Sequence, residues 1–260
     1  MAQQQKTVVV TGGASGIGRA TALRFADLSY DVFVADLSIT SDVQAAFAAA
    51  GIRFSEVDVR QTGPLLAFIH GAVDQTGRLD VLVNNAGVGL VKPIAQVTES
   101  EWDSVLDTNL KAAFFGCQAG IEAMGKQSEG GCVINVASNA GLLPRSHDPV
   151  YSISKMALVG LTKSLALCHS KDKIRINCVC PGPVENTRMI EENFEGREDR
   201  QQVVNELISA SPLARAWGRM VSTTEIADTI LYLASDAARM VTGTAIAIDG
   251  GKSLGVPPAN

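Results

Sequence analysis

The sequence predicts an α/β protein built on one doubly wound parallel sheet of about seven strands, with helices on both faces. Three observations predict it. Short runs of β-branched and aliphatic residues alternate with longer segments of helical periodicity. The first run passes directly into a glycine-rich turn that opens a helix. No internal repeat, low-complexity tract or linker interrupts the 260 residues, so residues 1–260 read as a single domain. A chain of this length can bury a substantial core, and 46% hydrophobic against 19% charged residues is a globular balance.

Composition narrows the possible partners. The net charge is −5 and lysine and arginine do not cluster, which argues against a nucleic-acid partner. No run of 18 apolar residues occurs, so no membrane span is expected. The N-terminus reaches its glycines after only a short apolar run, so no signal peptide is read there and a soluble cytoplasmic protein is expected. The five cysteines (Cys117, Cys132, Cys168, Cys178 and Cys180) contain no C-x-x-C pair. Cys178 and Cys180 would share one face of a strand, but buried thiols explain them better than a metal site. His70, His147 and His169 are scattered, and no metal is expected.

Taken in order, residues 7–10 (TVVV) form a strand buried on both faces. Gly12, Gly13, Ser15, Gly16, Ile17 and Gly18 follow, then helical periodicity over residues 20–26. Strand, glycine turn and helix together make a dinucleotide site: the glycines let backbone approach a pyrophosphate at the helix N-terminus. The second strand, residues 31–35, ends at Asp36 and Leu37. An acid at this distance accepts hydrogen bonds from an adenosine ribose and repels a 2′-phosphate, which favours NAD over NADP. Arg19 is the nearest cation that would offset that repulsion.

A helix over residues 43–50 leads to a third strand at 52–57, ending at Asp58 and Val59, and a helix over 65–73 leads to a fourth at 79–83. That strand runs into Asn84, Asn85, Ala86 and Gly87, whose small and amide side chains suit a strand end lying against a ligand. Residues 102–106 and 110–124 read as helical, with Asn109 marking a kink or cap between them. The fifth strand, 132–136, delivers Ser138 at its C-terminal end, where open parallel sheets bind ligands. A helix over 150–165 is followed by a sixth strand at 175–179 and by Pro181, Gly182, Pro183 and Val184. Residues 189–208 are polar and charged and read as a helical lid within a substrate-side region spanning about 186–222. A helix over 224–233 and a last strand over 244–248 complete the pattern.

Tyr151 and Lys155 stand four apart in the helix over 150–165, which puts phenol and ammonium on one face. A free tyrosine titrates near 10 and exchanges protons poorly at neutral pH. A neighbouring cation favours phenolate, and a drop of roughly three units corresponds to about 4 kcal/mol. The expectation is that Lys155 lowers the tyrosine pKa.

With these residues in place, the chain resembles the short-chain dehydrogenase/reductases, in their compact single-domain branch with a Rossmann-type sheet. The matching pieces are Thr11-Gly-x-x-x-Gly16-Ile-Gly18, Asn84-Asn-Ala-Gly87, Asn109, Ser138, Tyr151-x-x-x-Lys155 and Pro181-Gly182. The resemblance implies a catalytic tetrad of Asn109, Ser138, Tyr151 and Lys155. Tyr151 would exchange a proton with the substrate oxygen as hydride moves to or from a nicotinamide. Ser138 would hydrogen-bond that oxygen, Lys155 would bind the nicotinamide ribose, and Asn109 would hold a water in a proton relay. It also implies that Gly12, Ser15, Gly16, Ile17, Gly18, Asp36, Leu37, Asp58, Val59, Asn85, Ala86, Gly87, Pro181, Gly182 and Val184 meet the cofactor. The family often has a threonine two residues after the Val184 position. Here Asn186 stands there and Thr187 follows, so either can make that contact. The segment at 217–224 is longer than the family's usual turn. A homotetramer or homodimer is expected by resemblance.

The substrate is expected to be a secondary alcohol or its ketone: a sugar, polyol, hydroxy acid or similar small molecule. Arg145, His147, Glu185 and Arg188 are placed to border its pocket, and Arg145 or Arg188 could pair with a carboxylate. Two alternatives stand beside this reading. One is an NADPH-dependent 3-ketoacyl-thioester reductase, which Asp36 disfavours. The other is a non-catalytic dinucleotide sensor, which would have no need of both Tyr151 and Lys155.

Overall fold

The computed structural model describes residues 4–192 and 198–255. β1 (Thr7–Thr11) is buried along its whole length, as its unbroken apolar run requires. It is followed by α1 (Gly16–Asp27), β2 (Asp31–Asp36), α2 (Ser41–Ala49), β3 (Arg53–Glu56), α3 (Thr62–Thr76) and β4 (Val81–Asn84). Then come α4 (Glu99–Leu106), α5 (Ala112–Met124), β5 (Gly131–Val136), α6 (Pro149–His169) and β6 (Ile174–Pro181). α7 (Arg188–Glu192), α8 (Arg200–Ser209), α9 (Pro212–Trp217), α10 (Thr223–Ala234) and β7 (Ala245–Ile248) complete the described chain.

The seven strands form one parallel sheet in the order β3-β2-β1-β4-β5-β6-β7. The chain winds outward from β1 to β3, then crosses back to β4 and winds the other way. Strand order therefore reverses between β1 and β4, and a crevice opens beyond their C-terminal ends. Alternate strand residues feed opposite faces. Val8, Val10, Val32, Val34, Val81, Val83 and Ile134 pack under α1, α2 and α10, whereas Val9, Phe33, Leu82, Val133 and Ile176 pack under α3 and α5. Both faces of the sheet are covered by helices, which is why the strands carry apolar residues at nearly every position.

Two features depart from the sequence reading. Asn109 lies in a π-helical turn, Asp107–Lys111, that joins α4 to α5 without breaking the helical path. Such a bulge re-aims one side chain inside a helix. Asn84, expected at the ligand surface, is buried and donates to Asn135 Oδ1 at 2.9 Å; Asn135 in turn donates to Thr162 Oγ1 at 2.9 Å. This ladder ties β4 and β5 to α6 through the apolar interior, and so fixes the helix that bears Tyr151. The residues read as a lid, 189–208, fall in α7 and α8 where they are described; 193–197 lie outside the described residues. Ile190 and Met220 form a small buried cluster there, with Val203, Val204, Leu207 and Ile208 packed on it.

The 217–224 segment is structured. Gly218 ends α9 in the left-handed region, and Val221 pairs with Val184 in a parallel bridge. Ser222 and Glu225 form a reciprocal capping box at the start of α10, and Arg219 grips the same carboxylate at 2.7 and 2.9 Å. Among the described residues no helix is long and apolar enough to cross a membrane.

Candidate active site

A cavity of about 620 Å³ occupies the crevice beyond the strand ends. Gly12, Ser15, Gly16 and Ile17 enter it from the loop after β1, and Asp36 and Leu37 from the end of β2. Asp58 and Val59 enter after β3, and Asn85, Ala86 and Gly87 after β4. Ser138 follows β5, Tyr151 and Lys155 project from α6, Pro181 ends β6, and Gly182, Val184 and Thr187 follow it. The strand-end rule thus brings together residues separated by most of the chain.

The glycine loop is held against the β4 end by close backbone contact. Gly12 has φ +63°, and a Cβ there would lie 2.7 Å from Ala86 Cα. The Thr11 hydroxyl accepts the N–H groups of Asn85 and Ala86 at 3.1 and 3.2 Å, while Asn85 Nδ2 donates to the carbonyls of Thr11 and Gly12 at 3.0 and 2.7 Å. Gly18 does not line the cavity. A Cβ on it would collide with the Gly12 carbonyl and come within 2.8 Å of Gly13 Cα, so its role is to let α1 pack on the loop.

The N-terminus of α1 has no side-chain cap bond from Ser15 and no acid in its first turn. Its unsatisfied N–H groups and positive dipole end therefore suit an anion. With the carboxylate of Asp36 farther along, these residues fit a dinucleotide: pyrophosphate at the helix start, ribose at the acid. Asp36 accepts the N–H of Ala14 at 2.9 Å and of Leu37 at 2.8 Å, which fixes its orientation and leaves further lone pairs for ribose hydroxyls. Asp58 is gripped by Arg60 through Nε at 2.9 and 3.1 Å and Nη2 at 2.7 Å, and that hydrogen bonding holds its carboxyl below the usual range. Arg19 is not among the lining residues, and its Nε is buried without a hydrogen-bond partner among the described residues. Thr187 lines the cavity, its methyl facing Gly16 and its hydroxyl donating to Val184 O at 2.9 Å. Asn186 is not among the lining residues and sits at φ +57°.

Tyr151 and Lys155 are both buried, at 6% and 3% exposure. The ammonium donates to Val136 O at 2.9 Å and lies 5.8 Å from the tyrosine ring centroid. The expected effect of the lysine on the phenol is not what the structure shows. Burial pushes the Tyr151 pKa up, and the groups pulling it down are the Ser138 hydroxyl and the Arg145 guanidinium. Lys155 is directed at the β5 carbonyl, so desolvation outweighs its field at the phenol. Burial lowers Lys155 itself from 10.5 to about 8. The pair is thus a protonated phenol beside an ammonium poised to release its proton near neutral pH.

Ser138 accepts the N–H of Ala140 at 3.1 Å and donates to Asn139 Oδ1 at 3.3 Å, and its hydroxyl pulls the phenol pKa down. Asn109 acts on the chain around the site: its amide nitrogen donates to Val88 O at 2.9 Å and Ser154 Oγ at 3.0 Å, and its oxygen accepts the Val88 N–H at 2.8 Å. A Cβ placed on Gly87 would lie 3.3 Å from Lys155 Nζ and 3.4 Å from Asn109 Oδ1, so ammonium and amide flank one narrow backbone passage.

At the substrate end the expectations divide. Arg145 and Arg188 line the cavity, whereas His147 and Glu185 do not. His147 is exposed and contributes its carbonyl to Lys92 N at 3.1 Å. Sequence reasoning missed Lys252, Asp148 and Arg60. Lys252 was within reach of it, since it follows the last strand's C-terminal end; Asp148 is buried by tertiary packing alone. An apolar wall from Val88 to Val91, Met189 and Leu207 was missed as well. Among the described residues no three histidine, cysteine, aspartate or glutamate side chains gather as a metal site.

A phosphate-ready glycine loop and a buried tyrosine–lysine–serine group in one strand-end crevice define a dinucleotide-dependent oxidoreductase of the doubly wound class. Residues 12–253 match the family described as Enoyl-(Acyl carrier protein) reductase. The chain belongs to the short-chain dehydrogenase/reductases, enzymes that act on CH–OH groups with NAD(P) cofactors. It is 34% identical over 263 residues to a 3beta-hydroxysteroid dehydrogenase of Mediterraneibacter gnavus, covering 95% of this chain and 94% of that one. It is 35% identical to a 3-oxoacyl-[acyl-carrier-protein] reductase of Thermotoga maritima, covering 96% and 99%. Among solved structures it is similar to ligand-free aldohexose dehydrogenase of Thermoplasma acidophilum, with a TM-score of 0.88, 29% identity and coverage of 99% and 97%.

Proposed function

We propose that the protein is an NAD-dependent oxidoreductase that interconverts a small secondary alcohol and its ketone, with Tyr151 as general acid and base. The observation that supports this most directly is the burial of Tyr151, Lys155 and Ser138 on the same cavity that the glycine loop lines. The nicotinamide dinucleotide, when bound, supplies the hydride donor or acceptor. The chain's own residues handle the proton. Ser138 donates a hydrogen bond to the reacting oxygen and stabilises charge on it. Tyr151, kept neutral by burial, stands ready to protonate that oxygen during ketone reduction. Lys155 favours the phenolate as it forms and is itself close enough to neutrality to pass a proton onward. Asn109 holds the Val88 backbone and Ser154 in place around this path. Asp36 supports NAD over NADP. Thr187 supports the amide contact near the nicotinamide.

In this reading residues 1–260 act as one domain, 186–222 form the substrate-side lid, and the enzyme works in the cytoplasm as a homotetramer or homodimer. A panel of secondary alcohols and ketones, run with NAD and NADP and with a Tyr151→Phe control, tests it. Turnover favouring NAD and reduced at least about 100-fold in Tyr151→Phe is expected. Preference for NADPH with 3-oxoacyl thioesters would move the assignment to that reductase class. Cofactor binding with no hydride exchange on any substrate would favour a sensor.

A further inference from the structure

The cavity holds two cations that neither donate the transferred proton nor belong to the proposed dinucleotide contacts. Arg145, from the loop ahead of α6, and Lys252, from the turn after β7, both line it beside Tyr151 and Ser138. The Arg145 guanidinium carbon lies 6.0 Å from the Tyr151 ring centroid. Its Nη2 pairs with Asp148 Oδ2 at 3.1 Å, and Asp148 Oδ1 accepts the Ser152 hydroxyl at 3.0 Å. Asp249, the acid nearest Lys252 in sequence, is turned to its own backbone: its oxygens accept the N–H groups of Gly251 and Ser253 at 2.9 and 2.8 Å. The Lys252 ammonium has no hydrogen-bond or ion-pair partner among the described residues. Burial and the nearby Arg145 both pull the Lys252 pKa down, burial more strongly, whereas Asp249 and Asp148 oppose them. Arg145 and Lys252 thus share the cavity lining with Asp148, a carboxylate whose two oxygens are already engaged by Arg145 and Ser152.

We infer that Arg145 and Lys252 together bind a carboxylate carried by the substrate, which makes the preferred substrates hydroxy acids and the matching oxo acids. The inference rests on the alcohol–ketone chemistry proposed for Tyr151. Asp148 holds the guanidinium through Nη2, which leaves its other N–H groups to pair with a ligand carboxylate, and the free ammonium completes the grip. Arg188 does not belong to this subsite: its side chain is 79% exposed and tied to Glu192 at 2.6 Å.

The test oxidises 2- and 3-hydroxybutanoate and 2-, 3- and 4-hydroxypentanoate, each a secondary alcohol and each beside its primary amide. Wild-type enzyme is expected to favour at least one acid over its amide by about tenfold or more in kcat/KM, as charge-assisted hydrogen bonds require. In the Arg145→Gln/Lys252→Gln double variant that ratio should fall to near one, and Lys252→Arg should keep most of it. NADH affinity of each variant verifies that it is folded. A wild-type ratio near one throughout, or a ratio unchanged in the double variant, overturns the inference. If no alcohol in the set is oxidised, calorimetric titration of the protein–NADH complex with butanoate and with butanamide decides instead. Butanoate binding that the double variant loses upholds the subsite while the alcohol–ketone reading fails; absent or unchanged butanoate binding overturns the subsite.

Discussion

Replacing Lys155 by methionine removes a buried ammonium while keeping an unbranched side chain of similar length. In the wild type that ammonium titrates at about 8 instead of 10.5 because it is desolvated. A folded pKa below the unfolded one means that the unfolded chain binds the proton more tightly, so the native state is penalised wherever the lysine is charged. The penalty is complete below pH 8 and disappears as pH rises from 8 through 10.5. Integrating the two titrations gives about 3 kcal/mol at pH 7, of which about 2 kcal/mol is relieved by pH 9.5. Methionine escapes the penalty but leaves the Val136 carbonyl without its donor, a loss of about 1–3 kcal/mol. The two nearly cancel at pH 7. The variant should therefore unfold in urea within roughly 2 kcal/mol of wild type at pH 7, yet fall behind by about 2 kcal/mol more at pH 9.5. Groups that titrate at high pH away from Lys155 are common to both proteins and drop out of the difference; removing the ammonium pushes Tyr151 further up, out of this pH window. Parallel stability profiles across this range would refute the reasoning, because they would mean that the lysine is not desolvated. Hydride transfer should drop at least about 100-fold in the same variant, since the proton path is cut.

Three further outcomes are expected. Gly18→Ala should destabilise the protein by about 1–3 kcal/mol and weaken NADH binding, measured by melting and by fluorescence titration, because the new methyl would strike the Gly12 carbonyl. Asn109→Ala leaves the Val88 N–H unpaired and should lower stability by about 1–3 kcal/mol while slowing single-turnover hydride transfer; normal kinetics with normal melting would remove its positioning role. Glu225→Ala removes the box at the start of α10 and should cost about 1 kcal/mol at neutral pH. Hydrogen bonds from Arg219 and Ser222 hold the Glu225 pKa at about 2 against 4.5, so its contribution is present above 4.5 and fades as pH falls toward 2. Urea titrations at neutral and acidic pH should converge for wild type and variant.

The sequence alone determined the strand–helix alternation, the glycine turn and the Tyr151–Lys155 spacing. Each of these is written in local periodicity: an apolar run for a strand buried on both faces, a 3.6-residue repeat for a helix, small residues where backbone must approach backbone. The same locality explains why Gly18, although part of the motif, could be mistaken for a ligand contact, since its crowding comes from Gly12 and Asn85 across the turn. Only the tertiary structure decided which charges meet. Arg145 and Lys252 stand more than a hundred residues apart, and Asn84, Asn135 and Thr162 are distributed over two strands and a helix. Tertiary packing also decided that the phenol of Tyr151 sits higher than its lysine neighbour suggests, because desolvation is a property of everything packed around a group and is absent from the spacing of two residues.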